Sequence, residues 1–199
     1  MNIVLASQSP RRKELLAQAG YQFTTLAADI DESVLEGESP KEYVLRLAIE
    51  KAKSIATCYQ EHINSVVLGS DTAVIYQQHI LGKPESFEHF HQMMTMLSGK
   101  AHQVLTSVAV VKESKVYTDV ITTEVYFKPL SEQEISNYWH TNEPQDKAGG
   151  YGIQGIGGQF ITHINGSYSA VVGLPLCQTV ELLRQAGVQS PLSINVKES

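Results

Sequence analysis

The segment SVVLGSDTAVI (residues 65–75) most limits the folds open to this chain. It is an apolar run interrupted only at Gly69-Ser70-Asp71-Thr72. A strand that is apolar on both faces needs cover on both faces, as strands inside α/β sheets have. The same run contains an anomaly. Aspartate is a poor strand residue. An ionised carboxylate among apolar neighbours is costly unless it is paired, hydrogen-bonded or metal-bound. Asp71 is therefore either a strand-end carboxylate capping a backbone group, or a metal ligand or general base at the C-terminal edge of a sheet, where α/β ligands bind.

The flanking pattern supports a mixed sheet. Residues 2–6 read as a strand, and Ser9 and Pro10 suit the N-cap and first position of a helix ending before Gly20. A short strand is expected over 22–27 and an acidic loop over 29–40. A helix with a Ser39/Glu42 capping box then runs to about residue 56. A helix over 86–98 is followed by two long strands, 101–111 and 115–127, paired as a hairpin. Ser131 and Glu134 box the next helix, and the glycine-rich 146–158 reads as a closely packed loop. A second hairpin is expected to turn at Asn165-Gly166, before a final helix over 175–187. Strands alternate with helices early and hairpins come late. This predicts an α/β fold: a mixed, elongated sheet flanked by helices, in two lobes with a central cleft. Residues 1–189 are expected to form one domain and 190–199 a polar, frayed tail.

The chain of 199 residues is long enough for a sizeable core. A net charge of −6 argues against a broadly basic surface and so against stable nucleic-acid binding. Cys58 and Cys177 have neither disulfide-framework nor zinc-site spacing and are expected to be small buried hydrophobes. Nothing resembles a secretory signal or a membrane span, so a soluble cytoplasmic protein is expected. The seven histidines lack metal-ligand spacing and are read as non-catalytic.

Several charges need partners. Arg11 and Arg12 sit in the first turn of a helix, where the dipole disfavours cations. They are either solvated surface charges or, with Ser7, Ser9 and the helix N-terminus, a cradle for an anion. Lys51 falls in the apolar stripe of its helix and either snorkels to solvent or meets an anionic partner. Lys83, in GKP, is either a surface turn residue or a contact for a phosphate. Glu32 is placed to join Asp71 on a hard cation. Asp146-Lys147 is either a surface ion pair or part of a cleft lining. Basic residues with two carboxylates suit metal-assisted attack of water on a nucleotide phosphate.

The motifs LASQSPRR (5–12), GSDTAV (69–74), GKP (82–84) and DKAGGYGIQGIGGQFITHINGSYSAVVGLPL (146–176) together resemble the Maf family of nucleoside triphosphate pyrophosphatases. LRLAIEKA (45–52) and DES (31–33) also match, so the likeness extends from Ile3 to about Gly187. The resemblance implies the fold of the inosine-triphosphate pyrophosphatases, with an active site between two lobes. It implies hydrolysis of a nucleoside triphosphate to the monophosphate and pyrophosphate, a divalent cation (Mg²⁺ or Mn²⁺), a cytoplasmic location and a homodimer. By position, Asp71 would accept the proton from water attacking the α-phosphorus. Ser7, Ser9, Arg12, Lys51 and Lys83 would hold the triphosphate, Asp146 and Lys147 would contact the substrate, and Glu32 would assist the metal or the water.

Three positions separate two branches of the family. Arg11, Thr72 and Gln154 match the dTTP/UTP branch, whereas the 7-methyl-GTP branch resembles SPWRR, SDQ and SEG there. The Gln154 amide can donate to and accept from a pyrimidine edge. Gly150 departs from a frequent alanine, with no expected consequence beyond loop flexibility. Two other expectations stand beside the leading one: a house-cleaning pyrophosphatase for modified nucleotides, and a nucleotide-binding regulator of septum formation that does not turn its ligand over.

Overall fold

Short parallel strands joined by helices, followed by long strands joined by tight turns, generate a mixed sheet in the computed structural model, which describes residues 1–58 and 65–193. Among the described residues, seven strands, β1 (Asn2–Ala6), β2 (Phe23–Leu26), β3 (Ser65–Tyr76), β4 (His79–Leu81), β5 (Ala101–Lys112), β6 (Lys115–Phe127) and β7 (Ile161–Asn165), are ordered β2-β1-β3-β5-β6-β7, with β4 on β3. The chain divides into two compact units. The first is Met1–Asp71, Ser107–Val120 and the chain from Gly173; the second is Thr72–Thr106 and Ile121–Val172. Strands β3 (Ser65–Tyr76), β5 (Ala101–Lys112) and β6 (Lys115–Phe127) each contribute residues to both. Glu113 and Ser114 join β5 to β6, with Glu113 at φ 52°.

In the first unit, β1 (Asn2–Ala6) runs parallel to β2 (Phe23–Leu26) and to β3, with Ile3 opposite Phe23 and Leu5 opposite Leu68. Parallel neighbours need crossovers, and α1 (Pro10–Gln18) and α2 (Pro40–Cys58) supply them. The Ser39 hydroxyl accepts from Glu42 N–H while the Glu42 carboxylate accepts from Ser39 N–H, closing the expected capping box. One stripe of α2, with Val44, Leu47, Ala48, Lys51, Ala52 and Ile55, is buried. Its small members pack with Val4, Ala6, Val67, Ala109 and Val111. Gly69 makes that approach possible, because a Cβ there would fall 2.3 Å from the Ala48 carbonyl oxygen. The final helix of this unit is α6 (Leu176–Gln185).

The second unit contains the C-terminal part of β3 and the antiparallel β4 (His79–Leu81), a strand the sequence pattern does not announce. The turn between them uses Gln77 and Gln78 at positive φ, without the glycine that marks such turns in a sequence. Helices α3 (Phe87–Leu97) and α4 (Glu132–Trp139) bury Phe90, Met93, Met94, Leu97, Ile135 and Tyr138 against Val125, Phe127 and Phe160. β7 (Ile161–Asn165) pairs antiparallel with β6, Val125 opposite Ile164.

The second hairpin expected at Asn165-Gly166 is not formed. The chain enters a short helix, α5 (Tyr168–Val172), instead. Ser167 N–H donates to Thr123 Oγ1 at 3.0 Å and the Ser167 hydroxyl accepts from Ala170 N–H. These two bonds turn the chain into a capped helix where an Asn-Gly hairpin would have returned it as a strand. The cysteine expectation is also corrected: Cys58 and Cys177 are free and exposed. They lie at the end of α2 and the start of α6, off the buried stripes of both helices. Of the expected tail, Pro191–Ser193 form a 3-10 turn and 194–199 lie outside the described residues. Among the described residues, no helix is long and apolar enough to cross a membrane.

Candidate active site

The end of β1 leads into the first polar cluster. Ser7 is buried and its hydroxyl accepts from Ser9 N–H at 3.1 Å. The Ser9 side chain in turn caps α1 by accepting from Arg12 N–H. Arg12, in the first turn, donates from Nε to the Gly173 carbonyl at 2.9 Å. The Ser70 hydroxyl lies 3.0 Å from that same carbonyl and 2.8 Å from the Ser107 carbonyl. The loop after β1, the N-terminus of α1 and the middle of β3 are thereby tied to one backbone segment.

Asp71 follows Ser70 and lies inside β3, not at its end, which corrects the strand-end expectation. It is three residues beyond Leu68, the last β3 residue paired with β1. Asp71 thus lies just past the C-terminal end of the parallel β1, where α/β sheets place their ligands. Lys51 reaches it from α2: Nζ is 2.7 Å from Asp71 Oδ1 and 2.7 Å from Glu32 Oε1. Lys51 is 8% and Asp71 7% exposed, so the lysine does not snorkel to solvent. It joins one buried and one exposed carboxylate.

The electrostatics follow from that arrangement. Burial pushes the Asp71 carboxyl above its ordinary range, while Lys51 and Arg12 pull against the rise and Glu32 adds to it. Burial likewise lowers the pKa of Arg12, partly offset by Asp71 and made worse by Arg11. Burial thus raises the basicity of the Asp71 carboxyl while the neighbouring cations favour its charged form.

The acidic loop that carries Glu32 is strapped to α2 by Tyr43, which lies outside the quoted motifs, and by Arg46, which lies inside LRLAIEKA but has no role assigned from the sequence. Tyr43 donates its hydroxyl to the Glu32 carbonyl at 3.0 Å. Arg46 grips Glu38 through Nε and Nη2 at 2.6 and 2.8 Å and the Ser33 carbonyl through Nη2 at 2.9 Å. Both residues lie one turn or two before Lys51 on α2, a spacing visible in the sequence but ambiguous without the loop's path.

The remaining candidates, apart from Arg11 in the first turn of α1, belong to the second unit. The Thr72 hydroxyl lies 3.1 Å from Thr106 Oγ1, which donates to the Ala170 carbonyl. Lys83 is exposed, in a loop fixed where the Gly149 N–H donates to the Gly82 carbonyl at 2.9 Å. The Lys147 ammonium bonds Asp146 Oδ1 at 2.6 Å and the Glu143 carbonyl at 2.7 Å. Gln154 is exposed, in a turn of the glycine-rich segment. Short 3-10 turns at 143–146, 148–150 and 156–160 frame that segment, and Gln154 lies in the turn between the last two. Gly150 is buried at φ +72°, and a Cβ there would meet the Phe90 ring at 2.9 Å, so its role is packing, not the flexibility expected from the sequence. Of the six described histidines, His91, His102 and His140 bond Glu132, Tyr151 and the Ser136 carbonyl, His89 accepts from Glu85 N–H and His163 lies 3.2 Å from the Thr162 hydroxyl, while His62 lies outside the described residues.

A profile described as "Maf-like protein" matches residues 2–186. The chain belongs to the Maf-like family. It is 57% identical over 187 residues to the dTTP/UTP pyrophosphatase of Colwellia psychrerythraea, covering 93% of this chain and 88% of that one. Identity to the dTTP/UTP pyrophosphatase of Vibrio parahaemolyticus is 52% over 185 residues, covering 93% of this chain and 97% of that one. Among solved structures, the Staphylococcus aureus Ham1 protein is similar at 16% identity and a TM-score of 0.46 over 81% of this chain and 80% of that one.

In this Maf-like chain the donor set suits a small hard cation. Two carboxylates each approach one ammonium at 2.7 Å, so their oxygens are no further apart than twice that distance. Mg²⁺ takes oxygen ligands at about 2.1 Å and uses one or two carboxylates beside water and substrate phosphates. Among the described residues no group of three or more His, Cys, Asp or Glu side chains gathers as an all-protein cage.

Proposed function

We propose that this chain hydrolyses dTTP and UTP to the monophosphate and pyrophosphate. The observation that carries the reading is the buried Asp71–Lys51 pair, with Glu32 on the same ammonium and Arg12 feeling the charge of both carboxylates. A charge cluster at the carboxyl end of a parallel strand, beside a serine-capped helix N-terminus, is arranged for a polyphosphate and not for fold stability alone. The high identity to proteins named dTTP/UTP pyrophosphatase supports the substrate class.

In the proposed reaction, Asp71 takes a proton from water as its oxygen attacks the α-phosphorus. The bond from the α-phosphorus to the bridging oxygen breaks and pyrophosphate leaves. Arg12 and Lys51 neutralise the charge that develops on the phosphate oxygens, and such neutralisation supplies most of the catalysis in phosphoryl transfer. Ser7 and Ser9 are assigned to hold a phosphate at the start of α1. Lys83, Asp146 and Lys147 are assigned to the substrate, and Arg11, Thr72 and Gln154 to the choice of base. Asp71 and Glu32 would hold a divalent cation, Mg²⁺ or Mn²⁺, which supplies Lewis-acid polarisation of the phosphate when bound.

The test is a panel of natural and methylated nucleoside triphosphates with released pyrophosphate as readout, at saturating Mg²⁺ and then Mn²⁺. Turnover of dTTP and UTP above all others is expected. Turnover confined to purine triphosphates, or tight dTTP binding without product, would overturn the assignment.

A further inference from the structure

No local feature of the sequence singles out Glu143, yet its carboxylate grips the backbone of the glycine-rich segment directly. Its Oε2 accepts from Ile156 N–H at 2.8 Å and its Oε1 from Gly157 N–H at 3.1 Å. Oε1 also accepts from the Tyr138 hydroxyl at 2.8 Å, and that hydroxyl accepts from Gly152 N–H at 3.2 Å. The backbone is therefore held on both sides of Gln154, at 152 and at 156–157, by two side chains that touch each other. Through its own carbonyl, Glu143 also accepts from the Lys147 ammonium.

The glycines of this segment are explained by the same contact. A Cβ on Gly155 would lie 2.4 Å from Glu143 Oε2, and one on Gly157 would lie 2.5 Å from the Tyr138 hydroxyl. A Cβ on Gly152 would meet the Lys147 side chain at 2.8 Å. Three glycines thus clear space for one clasp. Tyr138 is buried and Pro144, next to Glu143, is buried too, so the clasp is anchored in the core of its unit. Burial pushes the Glu143 carboxyl up, but the N–H donors of Gly157 and Ile156 and the Tyr138 hydroxyl bring it below its ordinary value. It is ionised at neutral pH and accepts charge-assisted hydrogen bonds, which are about twice as strong as neutral ones.

We propose that Glu143, with Tyr138, is a positioning residue for base discrimination: it fixes the 152–157 turn so that the Gln154 amide presents a single orientation to the nucleobase edge. The proposal rests on the assignment of Gln154 to base recognition. A neutral glutamine at 143 keeps the shape but cannot accept at both positions, since its amide nitrogen faces N–H donors. The turn then samples several orientations, and the cost falls on binding and selectivity rather than on the proton transfer at Asp71.

The experiment compares kcat and KM for dTTP, dCTP and GTP in wild type, Glu143→Gln, Tyr138→Phe, Gln154→Ala and the double variant Glu143→Gln/Gln154→Ala. Glu143→Gln is expected to raise KM for dTTP and to lower the dTTP:GTP ratio of kcat/KM about tenfold, with kcat within about twofold. Tyr138→Phe, which deletes one hydroxyl from the core, is expected to lower the ratio about threefold and serves if Glu143→Gln folds poorly. The double variant should match Gln154→Ala, because a clasp with nothing to present has no further effect. If Gln154→Ala lowers the ratio while Glu143→Gln and Tyr138→Phe leave it unchanged, the clasp is merely structural and the proposal is overturned. If Gln154→Ala itself leaves the ratio unchanged, the base-recognition assignment fails, and the proposal fails with it.

Discussion

Asp71 and Lys51 sit on a strand and a helix, are nearly inaccessible, and satisfy each other at 2.7 Å. Gln154 sits in a turn between two 3-10 segments, is exposed, and is followed by backbone amides held at Ile156 and Gly157. The first unit places charge by burying it in regular structure; the second places an amide by clasping a glycine-rich turn. Burial raises the basicity of a carboxylate, and a strand keeps it at a fixed depth. Recognition of a base edge needs an accessible group whose direction, not whose pKa, is set. The two solutions should therefore fail differently when they are disturbed.

The largest difference is expected at Asp71. Asp71→Asn keeps the volume and the bond to Lys51 Nζ through its remaining oxygen, but cannot take a proton. Loss of a general base costs about 1,000-fold in kcat. Pyrophosphate release from dTTP at saturating substrate measures it. A fall in kcat of less than about tenfold would mean that some other group accepts the proton.

Lys51→Met separates the structural from the chemical use of the first region. It leaves the Asp71 carboxylate buried with Arg12 as its remaining cation, so stability at neutral pH should fall by about 3–4 kcal/mol. Urea unfolding measures this. The sign for the site is also set: Lys51 lowers the Asp71 pKa, so its removal raises it. The acid limb of the pH–rate profile should move to higher pH. The equivalent loss of a cation in the second unit, Lys147→Met, should cost no more than about 1 kcal/mol, because Asp146 is exposed and the Glu143 carbonyl loses one donor.

These contrasts bear on what a sequence discloses. The apolar run of β3, the Ser9-Pro10 start of α1 and both capping boxes are local signals, and each element appears where the pattern places it. Asp71 and Lys51 were visible as violations of pattern, a carboxylate in a strand and an ammonium in an apolar stripe. Which reading of Lys51 holds depended on the notch at Gly69, where the strand admits the helix backbone. That is a tertiary contact with no signature beyond a glycine. β4 was hidden because its turn uses two glutamines at positive φ, and α5 because Thr123, far away in sequence, captures Ser167. Glu143 was hidden because nothing local distinguishes a carboxylate that binds water from one that binds the backbone thirteen and fourteen residues ahead.

The core of the second unit contributes a pH dependence of its own. His102 is 3% exposed, bonds the Tyr151 hydroxyl at 2.7 Å, and burial lowers its pKa to about 4. The unfolded chain protonates this histidine near 6.5. Between pH 6.5 and about 4 the unfolded state therefore binds more protons, and stability is lost as pH falls through that window. The linkage is on the order of 3 kcal/mol when complete. In His102→Phe the decline over this window should flatten, as thermal unfolding followed from about pH 7 down to about pH 4 would show. An unchanged slope would place the acid sensitivity elsewhere, in carboxylates such as Glu143 whose folded pKa is depressed.

The smallest effect tests whether the strap on the acidic loop belongs to the first region. The Tyr43 hydroxyl donates to the Glu32 carbonyl, and that is the bond Tyr43→Phe removes. The carbonyl belongs to an exposed residue, so water replaces the lost donor and overall stability should change by no more than about 0.5 kcal/mol. Glu32 then loses one restraint on its approach to Lys51, and kcat/KM for dTTP should fall about fivefold, the equivalent of one hydrogen bond. A titration in the wild type reads the same geometry without assaying activity. Burial pushes the Tyr43 phenol up to about 12, with the charges of Asp71 and Glu32 acting in the same direction. Replacing Asp71 by Asn removes one of those charges, so the phenol should titrate at lower pH in Asp71→Asn than in the wild type. Ultraviolet difference titration of the tyrosinate, with Tyr43→Phe subtracted to isolate this residue, measures the shift. A phenol that titrates at the same pH in both proteins would show that Tyr43 does not feel Asp71, and the strap would then hold the loop without reaching the charges it encloses.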